Sequence, residues 1–146
     1  MTATVRAPRI TEAAIEKSCT DFLVLDGWRP LKMERNWSEK KRKAVGELGM
    51  ADHLYIRYAD YADRTLTWAS QAQLMWIEFK RAKGGSGKNG GLFTKAEKAK
   101  IHQKAWIATE RARGALVLLA GEDFPPTIEG FKAWYMASGL NRRMAA

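Results

Sequence analysis

Two acidic residues and a lysine have the types and spacing of a hydrolytic site. Glu78 and Lys80 stand two residues apart at the end of the apolar stretch 74–77. Side chains at positions i and i+2 of a β-strand leave the same face, roughly 6.6 Å apart, so both groups overlook one spot. A Glu-x-Lys pair at a strand end usually does no more than reach water. A chemical interpretation therefore needs a second acid nearby.

Asp52 supplies that second acid at the start of another apolar stretch, directly after Gly49-Met50-Ala51. Asp52 and Glu78 could share Mg²⁺, which is usually held by one or two carboxylates together with water and substrate phosphate oxygens. The backbone carbonyl of Phe79 could supply a further oxygen. Lys80 could then orient an attacking water, or help to deprotonate it, for in-line attack on a phosphodiester, while the metal offsets the developing charge.

Hydrophobic periodicity predicts the elements that must position these residues. We expect helices over residues 10–26, 94–113 and 128–137, the first of them capped by Thr11. Strands are predicted over residues 29–37, 53–58, 74–80 and 115–120, and a loop over residues 40–47. The order αβββαβα predicts a single α/β domain in which helices flank a central mixed sheet.

Other residues compete for a role or are expected to pack. Cys19 falls on the apolar face of the first helix, which favours packing over chemistry. His53 should point away from Asp52 and be structural or exposed rather than a general base. Asp60 and Asp63 are alternative metal ligands, although Asp is ordinary in a turn-rich stretch. Trp37, beside a basic loop, is a candidate platform for stacking a base.

The second helix shows a stripe of small residues that we expect to pack closely on the sheet. The stripe consists of Ile101, Ala105, Ala108 and Ala112.

The motifs, in their order along the chain, resemble the PD-(D/E)XK nuclease superfamily and, more closely, a stand-alone VRR-Nuc domain (the virus-type replication–repair nuclease family). The matching pieces are Thr11-Glu12, Gly49-Met50-Ala51-Asp52, Ile77-Glu78-Phe79-Lys80, Gln103 and Gly114-Ala115-Leu116-Val117. They span about residues 10–120. The sequence departs from the family in two places: Ala51 stands where a proline is usual, and the glycine-rich loop at residues 84–91 is long.

The resemblance implies a restriction-endonuclease-like core over residues 10–139, with flexible segments at 1–9 and 140–146. It implies that Asp52 and Glu78 are ligands of Mg²⁺ or Mn²⁺ and that Lys80 is the catalytic lysine. Glu12 would be an acidic residue facing the metal, and Gln103 would complete the pocket from the second helix.

The charge balance favours a polyanionic partner. The chain has 25 Lys and Arg against 16 Asp and Glu, a formal net charge of +9, and such an excess is typical of nucleic-acid binding. Much of the excess lies in two clusters, although a solvated face is the alternative interpretation of each. The residues expected to contact DNA phosphates are Lys40, Lys41, Arg42, Lys43, Arg81, Lys83, Lys88 and Lys95.

Several classes of protein are disfavoured. The longest apolar run, residues 115–120, is far shorter than the ~18 residues of a membrane helix. One Cys and two His argue against a disulfide or a Cys/His zinc site. The glycine-rich loop lacks the Gly-Lys-Ser/Thr ending of a nucleotide-binding loop. With no secretory signal at its start, we expect the chain to be cytoplasmic, in a bacterium or a phage-infected host cell.

The expected function is therefore a metal-dependent endonuclease that hydrolyses DNA, structure-specific on branched substrates such as four-way junctions or flaps. A homodimer would bring two sites to one junction. Its candidate interface is the apolar side of the last helix, which comprises Phe131, Trp134, Tyr135 and Met136. The alternative is that this helix only covers its own sheet. Two other functions stay open: a catalytically silent nucleic-acid-binding module of the same fold, and an RNA-directed nuclease.

Overall fold

The computed structural model describes residues 10–33, 37–38, 43–44, 47, 49–58, 72–80 and 95–144, with the backbone alone at 37–38, 43–44 and 95–99. Its helices and strands in these ranges are α1 (Glu12–Leu25), β1 (Trp28–Lys32), β2 (Trp37–Ser38), β3 (Lys43–Ala44), β4 (His53–Arg57), β5 (Gln73–Glu78), α2 (Lys95–Ala112), β6 (Leu116–Leu119) and α3 (Ile128–Ala137).

The central sheet has four strands in the order β1-β4-β5-β6. β1, β4 and β5 are antiparallel neighbours, whereas β6 runs parallel to β5. α2 makes the crossover that a parallel connection requires. The predicted α/β class, with a mixed sheet flanked by helices, is confirmed.

Helices cover the sheet on both faces. α1 and α3 share one apolar core with Tyr55, Met75 and Ile77. α2 packs on the opposite face, where Trp106 and Ile107 meet Trp76, Val117 and Leu119. The alternation of side chains along β5 thus divides the strand between two cores, as expected for a sheet that is buried on both faces.

Local sequence explains the ends of α1 and α3. The Thr11 hydroxyl accepts a hydrogen bond from the Ala14 amide at 3.1 Å, and Thr127 caps α3 through the Gly130 amide. After α1, Gly27 takes a φ of +90°, which favours glycine. Cys19 is completely buried in the α1 core, which confirms its packing role.

The predicted strand at residues 29–37 is wrong in its extent. β1 ends at Lys32, opposite His53, because β4 begins there and offers no further pairing partner. The Met33 amide makes one more hydrogen bond, to the carbonyl of Asp52. Trp37–Ser38 instead pairs with Lys43–Ala44 in a separate two-stranded sheet, so the predicted loop at 40–47 contains a strand.

The predicted packing stripe on α2 is also wrong. Ile101 is 52% exposed, and Ala105, Ala108 and Ala112 are exposed as well. The buried residues are Trp106 and Ile107, since these larger side chains remove more apolar area from water than a row of alanines. The Trp106 ring meets Trp76 edge to face, with 5.0 Å between centroids.

The segment 140–144, expected as part of a flexible tail, is bound to the body of the fold. The carbonyl of Leu140 accepts a hydrogen bond from Arg57 at 2.6 Å, and the amides of Arg142 and Arg143 donate to Asp26. Residues 1–9 and 145–146 lie outside the described ranges. None of the helices in the described part of the chain is long and apolar enough to cross a membrane.

Candidate active site

A buried carboxylate, that of Glu78, is the centre of the candidate site. Glu78 is 1% exposed at the end of β5. Its Oε2 accepts a hydrogen bond from the backbone amide of Asp52 at 3.1 Å, and its Oε1 lies 2.8 Å from the Lys80 ammonium. The structure therefore brings together the three residues that the sequence singled out.

Phe79 anchors the strand end that carries Glu78 and Lys80. Its side chain is 1% exposed. It meets the rings of His53, Phe124 and Phe131 at centroid distances of 5.4, 6.2 and 5.8 Å. Because consecutive strand residues face opposite ways, this anchor directs Glu78 to the other side of the sheet. The Lys80 side chain is 40% exposed, so the pair is open to solvent on one side.

His53 belongs to the core rather than to the site. It is 6% exposed, and its ring stacks on Tyr55 and meets Phe79 edge to face. Its Nε2 lies 3.8 Å from Glu16 Oε2, while its buried Nδ1 has no hydrogen-bond partner. Of the two expected roles, structural or exposed, the structural one is confirmed.

The electrostatics of the site show an excess of negative charge. Burial and then the charge on Glu78 raise the pKa of Asp52 above its ordinary value. Burial alone would lower the pKa of Lys80, but the hydrogen bond and charge of Glu78, followed by the charges of Glu12 and Asp52, raise it. Lys80 is consequently an ammonium at neutral pH, and Asp52 holds its negative charge at a cost.

The structure connects Glu12 to the site through its charge, and Gln103 only through the backbone that lies against Gly49. Glu12 is half-buried in the first turn of α1, and its charge contributes to the raised pKa of both Asp52 and Lys80. Gln103 is half-buried on α2. Its backbone is placed by Gly49, three residues before Asp52.

Gly49 lets the chain before Asp52 lie directly against α2. A Cβ at this position would come 2.3 Å from the carbonyl oxygen of His102 and 2.8 Å from the amide of Gln103. Its φ of +80° lies in the left-handed region as well. Both the space and the backbone conformation therefore require glycine. A second contact reinforces the first: the Trp106 indole donates to Glu47 Oε2 at 2.7 Å.

The donor set at Asp52 and Glu78 fits a hard divalent cation. Among the residues that the structure describes, each oxygen of Glu78 has one partner, and a carboxylate oxygen has lone pairs for two. Burial and the charge of Glu78 raise the pKa of Asp52, so a cation bound beside it would favour its ionised form. In the described ranges no three His, Cys, Asp or Glu side chains form a group that could hold a metal ion. Further ligands of an octahedral ion would thus come from the Phe79 carbonyl, water and substrate.

Most of the predicted phosphate-binding residues lie outside the described part of the chain. These are Lys40, Lys41, Arg42, Arg81, Lys83 and Lys88, together with Asp60, Asp63 and the glycine-rich loop 84–91. For Lys43 on β3 and Lys95 at the start of α2 the structure gives the backbone alone, as it does for Trp37.

Sequence reasoning missed two participants in this region. Glu16 follows Glu12 by four residues on α1 and contacts His53, and the i, i+4 spacing of two glutamates was the available signal. Glu47 was placed in a loop without a role. Its partner Trp106 lies 59 residues further along the chain, and local sequence patterns do not predict contacts at that separation.

Comparisons with known proteins complete this description. No protein-family model, no curated protein and no solved structure matches the chain.

Proposed function

We propose that this chain is a metal-dependent endonuclease that hydrolyses DNA phosphodiester bonds with Mg²⁺ or Mn²⁺. Its sheet and flanking helices would be the core of a PD-(D/E)XK fold similar to a stand-alone VRR-Nuc domain. The observation that carries the proposal is the buried Glu78 carboxylate, which engages the Asp52 amide and the Lys80 ammonium at an edge of the sheet that opens to solvent.

The proposed roles follow from the charges of the side chains. Asp52 and Glu78 would hold the cation, which when bound supplies Lewis-acid stabilisation of negative charge at the scissile phosphate. Lys80, whose pKa is raised, is suited as an ammonium to orient the attacking water and to neutralise charge that develops on phosphate oxygens. Glu12 would add negative potential for the cation, and Gln103 would contribute a polar group from α2.

Lys80→Ala is the first test of the chemistry. Loss of a positioned acid–base or charge-stabilising group should lower the cleavage rate by about 10²–10⁴-fold. Linear, flap and four-way-junction DNA would be incubated with Mg²⁺, Mn²⁺ or EDTA. Lys17→Ala is the matched control, because Lys17 is a 78% exposed lysine on α1 whose removal changes the net charge equally. Equal rates for both variants would contradict the role given to Lys80.

DNA is the proposed partner on the ground of the +9 net charge. If the basic clusters contact phosphates, log affinity for duplex DNA should fall linearly with log salt concentration. Each contacting lysine that is replaced should flatten that slope by roughly 0.9. Slopes that stay unchanged after Lys40–Lys43 are neutralised would assign this cluster to the solvated surface.

Branched DNA and a homodimer are the finer parts of the proposal. Phe131 and Tyr135 are completely buried in their own chain, while Trp134 and Met136 are half-buried. A dimer interface on α3 therefore has less apolar surface than the sequence suggested. Light scattering together with a paired-nick assay on a four-way junction tests both parts. A monomer that cuts linear duplex as readily as the junction would contradict them.

A catalytically silent DNA-binding module is the second candidate, favoured by the positive charge alone. It predicts DNA binding that EDTA leaves unchanged, and no cleavage of any of the three substrates. The pair of acids beside Lys80 favours the nuclease, because a buried carboxylate next to a second one is costly to keep without a purpose.

A further inference from the structure

α1 carries two neighbouring rows of side chains at a spacing of four residues. The apolar row consists of Ile15, Cys19 and Leu23, all of them buried. The polar row, one helical step away, consists of Glu12, Glu16 and Thr20, all of them half-buried. Residues four apart lie above one another on a helix, so each row forms a line along the helix axis.

The polar row meets β4 at two levels. The hydroxyl of Thr20 lies 2.7 Å from the hydroxyl of Tyr55, and the carboxylate of Glu16 lies 3.8 Å from His53 Nε2. The first distance is that of a hydrogen bond. The second is within salt-bridge distance, and a salt bridge there requires a protonated imidazole. Four residues of helix advance about 6.0 Å and two residues of strand about 6.8 Å, so the two spacings match closely.

One more step along α1 and along the strand leads toward the candidate site, from Glu16 to Glu12 and from His53 to Ala51, the neighbour of Asp52. Glu12 therefore stands at the end of the polar row that lies nearest to the candidate site. In agreement with this placement, the charge of Glu12 contributes to the raised pKa of both Asp52 and Lys80. The hydrophobic effect is not directional, so paired polar groups constrain the position of α1 along its axis more strictly than apolar contacts do.

We propose that Glu16 and Thr20 are positioning residues: through His53 and Tyr55 they fix the axial position of α1, and with it the place of Glu12 beside Asp52 and Lys80. The consequence for cleavage rests on the proposed function, whereas the position of the helix does not. Glu16 and Thr20 line a groove of about 350 Å³ between α1 and the β1 edge, so their side chains can be altered without opening a cavity in the apolar core.

The position of the helix can be measured with neither metal nor DNA. Spin labels at Leu25→Cys on α1 and Leu74→Cys on β5 occupy exposed sites, 69% and 54% exposed. The native Cys19 is buried, and burial raises the pKa of its thiol to about 12, which protects it from labelling. Adding Glu16→Ala and Thr20→Val should broaden the measured distance distribution or add a population displaced by about one helical turn, roughly 5 Å.

Matched controls separate position from stability. Thr20→Ser keeps the hydroxyl and should keep the parent distance, and Asp21→Asn removes an exposed carboxylate from the same helix. If the combined variant is too unstable to label, Thr20→Val and Glu16→Gln are measured singly. A distribution identical to that of the parent in the folded variants would overturn the inference.

The affinity for Mn²⁺, measured by electron paramagnetic resonance, tests whether the position of the helix affects the site. Loss of Glu16 and Thr20 should weaken Mn²⁺ binding about tenfold, as Glu12→Gln should. Combining the changes should add nothing further, because Glu16 and Thr20 act through Glu12. Additive losses would overturn the inference. A helix that shifts in a chain that neither binds Mn²⁺ nor cuts DNA would instead refute the proposed function alone.

Discussion

Two buried carboxylates in this molecule have opposite surroundings. Asp26, completely buried after α1, accepts hydrogen bonds from Arg57, from the Tyr135 hydroxyl and from the amides of Arg142 and Arg143. Glu78, equally buried, has one ammonium and one amide as partners in the described part of the chain, and Asp52 and Glu12 add negative charge nearby. One carboxylate is surrounded by donors, and the other lies in a region of surplus negative charge.

The pKa values show the difference. Burial by itself raises the pKa of Asp26, but the hydrogen bonds of Tyr135, Arg142 and Arg143 and the charge of Arg57 bring it below its ordinary value. Asp52, beside Glu78, has a raised pKa. The oxygens of Asp26 are already occupied by protein donors, so this carboxylate stabilises the fold and does not bind a ligand. A cluster of acids with too few cations costs stability and gains it back when a cation binds.

The largest expected effect is on DNA cleavage, at the site of Asp52 and Glu78. Asp52→Asn should abolish metal-dependent cleavage, because it removes a proposed ligand of the cation. The same variant should keep or slightly raise the melting temperature without metal, since it removes a negative charge that Glu78 repels. Cleavage of junction DNA and thermal unfolding in EDTA measure the two effects.

Full activity of Asp52→Asn in Mg²⁺ would contradict the assignment of the ligand. A large loss of stability in EDTA would also break the contrast, since Asp52 would then serve the fold as Asp26 does. Glu78→Gln provides the second test at the same site and should lose cleavage too.

The next largest effect is on the stability of the fold, at Asp26. Asp26→Asn leaves Arg57 buried without its charge partner, and breaking a buried pair in this way costs about 3–5 kcal/mol. Urea unfolding measures it. The surface variant Asp21→Asn, which breaks the exposed pair with Lys17, should cost less than about 1 kcal/mol. A comparable cost for both variants would contradict the saturated character of Asp26, as would loss of cleavage by folded Asp26→Asn.

The smallest effect is the response to acid, where Asp26 and Asp52 should change the stability in opposite directions. Asp26 has a lowered pKa in the folded state, so it stabilises the protein above its unfolded pKa of about 3.9 and loses that contribution as the pH falls. Asp52 has a raised folded pKa and takes up a proton more readily in the folded state, which favours folding on acidification. Between pH 6 and pH 3, the free energy of unfolding should therefore fall less steeply with decreasing pH for Asp26→Asn than for the wild type. For Asp52→Asn it should fall more steeply. The same slope for both would remove the contrast.

The sequence allowed prediction of those features that depend on neighbouring residues. α3 was expected over residues 128–137 and is found at Ile128–Ala137, because its cap and apolar spacing are local. Glu78 and Lys80 were placed together because two residues of strand fix their relation. The convergence of Asp52 with them was expected from its position at the start of an apolar stretch. It depends on the pairing of β4 with β5, which periodicity does not predict.

Other features depend on contacts that no local pattern contains. The rotation of α2 was set by Trp106 meeting Trp76, 30 positions earlier in the sequence, and so the alanine stripe was wrongly assigned to the sheet. The end of β1 was decided by where β4 begins. Asp26 looked like the last residue of a helix, since its partners lie 31 to 117 residues further along the chain.

That long separation has a consequence for how the chain folds during synthesis. α1 and the main sheet strands β1, β4 and β5 emerge from the ribosome well before Arg142 and Arg143, the last donors to Asp26. Until these two amides arrive, burying the Asp26 carboxylate leaves much of its hydrogen-bonding capacity empty, which is unfavourable. The nascent chain should therefore delay closing its α1–α3 core until residue 143 is free. Chains truncated after residue 139 should be digested by proteases far faster than chains truncated after residue 144.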